Sequence, residues 1–70
     1  MSKIPILNSK EVMRILKDRG FILDRIHGSH HHFRHPITNK RTVVPHHRKD
    51  LPIGTLLTIL KQAGIEKEEL

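Results

Sequence analysis

The fold of this chain is decided by a strand-turn-strand stretch near its middle, which reads Phe21-Ile22-Leu23-Asp24-Arg25-Ile26-His27-Gly28-Ser29-His30-His31-His32-Phe33-Arg34. Residues 21–26 include the aromatic and β-branched side chains that favour strands, and His27-Gly28 has the chemistry of a tight turn. A second strand is expected through His32-Phe33-Arg34, followed by a turn over residues 36–39. The stretch therefore predicts an antiparallel hairpin.

The residues before the hairpin predict a helix. Asn8 and Glu11 have the three-residue spacing of a capping box, and Gly20 is placed to end the helix that they start. Its apolar face would consist of Val12, Ile15 and Leu16.

The residues after the hairpin predict a third strand and a second helix. The strand is expected over residues 41–44, where Thr and Val are frequent, and it should stop at Pro45. Pro52 suits the first turn of the helix, and Gly64 suits its end. The apolar face of this helix would consist of Ile53, Leu56, Leu57 and Leu60.

These elements together predict an α+β fold with the order α-β-β-β-α. Two amphipathic helices can cover one face of a three-stranded antiparallel sheet and leave the other face accessible. This is the arrangement of a double-stranded RNA-binding domain (dsRBD), although topology alone does not decide function. We expect one domain over residues 1–70, because a chain this short cannot support two independent cores.

Charge is distributed unevenly along the chain. The net charge is +6, and residues 25–49 hold six Lys and Arg, all seven His and no carboxylate. Such a segment predicts one basic face, which favours nucleic acid as partner but also suits a membrane surface or an acidic protein. The chain has no cysteine, no apolar run of about 20 residues and no signal-peptide pattern, so we expect a soluble, cytoplasmic protein.

The histidine-rich segment has several interpretations. Strand alternation puts His30, His32 and Arg34 on one face of the second strand and His31, Phe33 and His35 on the other. If Phe33 points into the core, the first set faces solvent. The histidines could fill half-buried strand positions, or two of them could bind zinc together with His46 or His47. No carboxylate or thiol lies in the segment to complete a hydrolytic zinc site, and no metal or cofactor is predicted.

A further interpretation is metal-independent RNA cleavage. Attack by the 2′-hydroxyl on the adjacent phosphate needs a base for that hydroxyl, an acid for the departing 5′-oxygen and positive charge beside the phosphate. Histidine titrates near neutral pH and can serve either proton-transfer role. The segment contains all of these groups.

The chain resembles the HicA family of toxins, which are small mRNA interferases of bacterial and archaeal toxin-antitoxin pairs with a dsRBD-like fold. The resemblance covers nearly the whole chain and rests on Gly20-Phe21 after a helix, Gly28-Ser29-His30, Arg34-His35-Pro36, Val43-Val44-Pro45-His46, Gly54-Thr55-Leu56 and Ile59-Leu60-Lys61-Gln62-Ala63-Gly64-Ile65. It implies that His30 is the catalytic histidine and that the partner is a HicB antitoxin, which binds the toxin and blocks its active site.

The leading prediction from these observations is an RNA endonuclease. His30 would transfer the proton, and the RNA would be bound by Ser29, His32, Arg34, Arg41, Arg48 and Lys49. A second proton-transfer group is left open among His32, His46 and His47. The alternatives are a non-catalytic RNA-binding module and a protein-interaction domain whose basic face binds an acidic partner.

Overall fold

The secondary-structure elements follow the predicted order. The structure, a computed structural model, describes residues 5–46 and 49–70. Its elements are α1 (Ser9–Asp18), β1 (Ile22–His27), β2 (His30–Arg34), β3 (Arg41–Pro45), α2 (Ile53–Ala63) and a 3₁₀ helix (Lys67–Glu69). The three strands form an antiparallel sheet in the order β1-β2-β3, so the predicted α+β fold is confirmed. Within the described residues, no helix has both the length and the apolar character required to cross a bilayer.

Helix α1 begins at the predicted capping box. The side chain of Asn8 accepts a hydrogen bond from the backbone N–H of Glu11 at 2.8 Å, and the Glu11 carboxylate accepts one from the backbone N–H of Asn8 at 3.1 Å. The helix buries Val12 and Leu16, while Ile15 is half-buried. At its first residue, the Ser9 hydroxyl donates to the Pro45 carbonyl at 2.6 Å, which ties the start of α1 to the end of β3.

The core lies between the helices and one face of the sheet. Phe33 from the central strand and Val44 from β3 are both at most 1% exposed, and they pack with buried residues of both helices. Thr42 is buried on the same side, and its hydroxyl donates to the Gln62 side chain of α2 at 2.9 Å. The other face of the sheet has no helix against it among the described elements.

The predicted apolar face of α2 is partly wrong. Ile53 and Leu57 are 51% and 40% exposed, and the buried residues are Leu56, Ile59, Leu60 and Ala63. Both the predicted and the observed set have helical spacing. The observed set is rotated by about 60° around the helix axis relative to the predicted one, and packing against β3 selects it. Pro52 precedes the helix as its N-cap and does not lie in the first turn.

Two strand boundaries also differ from the prediction. Strand β2 begins at His30 and not at His32, because the turn consists of Gly28 and Ser29 and both strands continue up to it. Pro45 is the last residue of β3 and pairs with His30. A proline is tolerated there because it ends a strand at the edge of the sheet, where its missing N–H has no partner to satisfy.

The 3₁₀ helix contacts the C-terminal end of α1. Arg19 donates to the Glu69 carboxylate at 2.9 Å, and both side chains are more than a third exposed. The pKa of Glu69 is lowered, first by the hydrogen bond from the Glu66 backbone N–H and then by Arg19. The stability from this contact is present above the unfolded-state pKa of Glu69 and is lost as pH falls through its lower folded-state value.

Replacing Asn8 by alanine should destabilise the protein by about 1 kcal/mol, because the N–H of Glu11 loses its acceptor. In a domain of this size, that change lowers the melting temperature by roughly 4–8 °C. Thermal unfolding followed by circular dichroism measures the shift. Lys10→Ala, at the exposed neighbouring position, is the control and should change little.

Candidate active site on the open face of the sheet

The turn between β1 and β2 requires a glycine. Gly28 has a φ of 62°, in the left-handed region, and Ser29 is not among the residues with positive φ. Positive φ at the first central position only is the pattern of a type II′ turn, which matches the right-handed twist of the two strands. The residues that flank the turn, His27 and His30, face each other directly across the hairpin.

The burial of Phe33 determines which way the neighbouring side chains of β2 point. Because successive side chains alternate between the two faces of a strand, His30, His32 and Arg34 lie on the face opposite Phe33. His30 is exposed, and His32 and Arg34 are half-buried. The predicted distribution of these residues between the two faces is confirmed.

Strand register brings residues from all three strands onto this face, which we call the open face. Its positions form three rows across the sheet: His27, His30 and Pro45; Arg25, His32 and Val43; and Ile22, Arg34 and Arg41. Three imidazoles and three guanidinium groups thus share one surface, and none of its nine positions is a carboxylate. The chemistry required for binding and cleaving a phosphodiester is concentrated at this face.

A bulge interrupts the regular pairing of β1 with β2. The register shifts between Leu23, which pairs with Phe33, and Arg25, which pairs with His32, so Asp24 is an additional residue in β1. Asp24 and Arg25 line a shallow cleft of about 280 Å³ together with His32, Phe33, Arg41, Thr42, Val43 and Gln62. Its lining thus places the Asp24 carboxylate beside cationic groups, and it includes Phe33, Thr42 and Gln62 from the helix side of the sheet.

Two arginines on the open face have the same charge and face each other directly. Arg34 and Arg41 are cross-strand partners in β2 and β3. Like charges in this position repel and weaken a sheet. The ion pair between Arg19 and Glu69 lies at the C-terminal end of α1 and involves neither of these arginines. The arginine pair therefore favours an anionic ligand from outside the chain.

The remaining described histidines lie away from the open face. His31 faces the helices, its Nδ1 is buried without a hydrogen-bond partner among the described residues, and its ring centroid is 5.4 Å from that of His46. His35 accepts hydrogen bonds at Nδ1 from the backbone N–H groups of Ile37 and Thr38, both at 3.2 Å. His35 thus stabilises the turn between β2 and β3.

The structure brings together part of the predicted site. His30, His32, Arg34 and Arg41 share the open face, and the Ser29 carbonyl accepts a hydrogen bond from the His46 backbone N–H at 2.7 Å. Lys49 is exposed in the segment that leads to α2 and is not part of the three rows. Arg48 and His47 lie outside the described residues. Over residues 5–46 and 49–70, no group of three or more His, Asp or Glu has the arrangement of a metal site.

Comparison with known proteins identifies the family of the chain. The family model described as HicA toxin of bacterial toxin-antitoxin matches residues 9–65, which is more than half of the chain. The chain belongs to the HicA toxin family. It is therefore a toxin of a toxin-antitoxin system, and membership implies an antitoxin as partner. No curated protein matches this HicA sequence significantly.

Two residues of the HicA open face were not identified from the sequence. His27 and Arg25 lie in the same rows as His30 and His32. The position of His27 opposite His30 could have been predicted from the sequence, because a two-residue turn over Gly28-Ser29 pairs the residues on either side of it. The position of Arg25 relative to Leu23 depends on the bulge, which leaves no clear pattern in the sequence.

Replacing Arg41 by glutamine in this HicA toxin should stabilise the fold slightly, because the repulsion from Arg34 is removed. We expect a gain of about 0.2–1 kcal/mol in the free energy of unfolding at low salt. Urea denaturation at about 0.01 M and about 1 M salt measures it, and the gain should shrink at high salt. Arg14→Gln, which removes the same charge from the exposed side of α1, is the matched control and should give no comparable gain.

Proposed function

We propose that this toxin is a metal-independent RNA endonuclease, an mRNA interferase, in which His30 transfers a proton and the open face binds the RNA backbone. The observation that carries the proposal is the position of His30, which is solvent-exposed beside the hairpin turn and shares its face with Arg25, Arg34 and Arg41. A HicB-type antitoxin would act by covering this face.

The open face supplies the groups that phosphodiester cleavage requires. Guanidinium groups bind phosphate oxygens in a fixed fork geometry and stabilise the charge that develops on them. The exposed imidazole of His30 can reach a phosphate bound beside it, and the attacking 2′-hydroxyl belongs to the substrate, so that proximity assists the reaction without a metal ion. Ser29 and Lys49 would extend the RNA-binding surface beyond the three rows. Arg48, outside the described residues, stays a predicted RNA-binding residue.

The dsRBD-like arrangement also suits an RNA-binding module without catalysis. Such a module would recognise RNA by phosphates and shape and would protect it from degradation. The exposed imidazoles at the hairpin favour catalysis, because phosphate binding alone is served by the arginines. Cleavage and retardation can be distinguished in a single gel with purified protein, single-stranded mRNA and excess EDTA.

Replacing His30 by alanine should abolish RNA cleavage, because the reaction loses the group that transfers its proton. General acid-base catalysis contributes about 10²- to 10⁴-fold, so the rate should fall at least 100-fold. The fold should be retained because His30 is exposed. The rate is measured in excess EDTA, and growth arrest on expression should also disappear.

Lys61→Ala, on the exposed side of α2, serves as the control for the cleavage assay and should retain the wild-type rate. Wild-type cleavage by a folded His30→Ala variant would remove His30 from the mechanism. Intact, retarded RNA with the wild-type protein would favour the binding module, and cleavage only after addition of zinc would favour the metal interpretation.

RNA binding by the open face should depend steeply on salt, because each phosphate contact releases a counterion. For single-stranded RNA, the logarithm of the binding constant should fall with a slope of about −0.7 per contact against the logarithm of the salt concentration. Arg34→Gln should reduce the magnitude of this slope by about one contact, whereas Arg14→Gln should not change it. Fluorescence anisotropy with His30→Ala protein measures the slopes without cleavage. A flat salt response would favour the protein-interaction domain.

A further inference from the structure

We propose that His27 is the second proton-transfer residue of this site and acts with His30 as an acid-base pair. The inference rests on the ribonuclease function proposed above and assigns a role that the sequence left open. It is carried by the pairing of the two histidines across the β1–β2 turn.

The geometry of the hairpin makes the imidazoles of His27 and His30 neighbours. His27 and His30 flank the two-residue turn and are direct cross-strand partners, so their Cβ atoms are about 5 Å apart. Both residues are exposed and point to the same face. A phosphate that lies over the turn can therefore be contacted by both rings at once.

Transesterification of RNA requires two proton transfers at one phosphorus atom. A neutral imidazole removes the proton of the 2′-hydroxyl as the 2′-oxygen forms its bond to phosphorus. A protonated imidazole gives its proton to the 5′-oxygen as the bond between phosphorus and that oxygen breaks. The products are a 2′,3′-cyclic phosphate and a 5′-hydroxyl, no other reactant is consumed, and two imidazoles near neutral pH supply both roles.

The other histidines are less well placed for the second role. His32 is two residues along β2 from His30, about 7 Å away, is half-buried and pairs with Arg25 across the sheet. It is suited to contact a neighbouring phosphate. His46 has its ring beside His31, which faces the helices. His47 lies outside the described residues.

Arg25 supplies positive charge beside the pair. It precedes His27 by two residues in β1 and pairs with His32 across the sheet. A phosphate bound between the two histidines would thus lie next to this guanidinium group, which can stabilise the negative charge of the transition state. The first two rows of the open face then contain the acid, the base and the phosphate-binding group.

The test compares His27→Ala, His30→Ala and wild type on two RNA oligonucleotides. One is ordinary RNA, and the other has sulfur in place of the bridging 5′-oxygen at a bond that the wild type cleaves. Sulfur leaves without a proton, so this substrate does not need the acid. Both variants should be at least about 100-fold slower on ordinary RNA, and the sulfur substrate should restore one of them but not the other.

The pH dependence gives an independent readout. The wild-type rate should have a bell-shaped profile, and each variant should lose one of its two limbs. His32→Ala is the matched imidazole control: it should weaken RNA binding and keep both limbs. His27→Gln, which preserves a polar side chain at the turn, should behave as His27→Ala does.

Three results would overturn the proposal for His27. The first is a cleavage rate of His27→Ala on ordinary RNA within about 3-fold of the wild-type rate. The second is that the sulfur substrate restores cleavage by both variants, and the third is that it restores cleavage by neither. Each of them leaves cleavage by the wild type intact, so the ribonuclease function survives. Failure of the wild type to cleave either RNA would instead overturn the proposed function together with the acid-base pair.

Discussion

The burial of Phe33 in the middle of the central strand is the constraint on which the site depends. Its side chain is 1% exposed and packs among aliphatic residues from both helices and β3. Since strand side chains alternate, this one contact directs His30, His32 and Arg34 to the opposite face. A register shift of one residue would put Phe33 in water and the imidazoles in the core, so core packing also specifies the orientation of the site.

The two faces of the sheet serve different purposes. The helix side holds the buried residues, the Thr42–Gln62 hydrogen bond and the contact from Ser9 to β3. The open face combines like charges at facing positions with partly exposed apolar groups such as Val43, and both features are unfavourable for an isolated domain. Binding of an anionic polymer would relieve the repulsion, which supports the proposed action on RNA.

Much of this arrangement could be predicted from the sequence because it depends on local rules. The Asn8–Glu11 capping box and the alternation along β2 both require knowledge only of nearby residues. The buried side of α2 could not be chosen, because two stripes fit the same spacing and only contact with β3 selects between them. The bulge at Asp24 could not be predicted from the sequence either, since it depends on how β1 pairs with Phe33 and His32 of β2.

The chemical ends of the RNA fragments test the central claim most directly. If the imidazoles of the open face catalyse attack by the 2′-hydroxyl, mass spectrometry of fragments made in excess EDTA should show 2′,3′-cyclic phosphates and 5′-hydroxyls. Fragments with 5′-phosphates and 3′-hydroxyls would mean that water attacks the phosphate. That result would contradict the account.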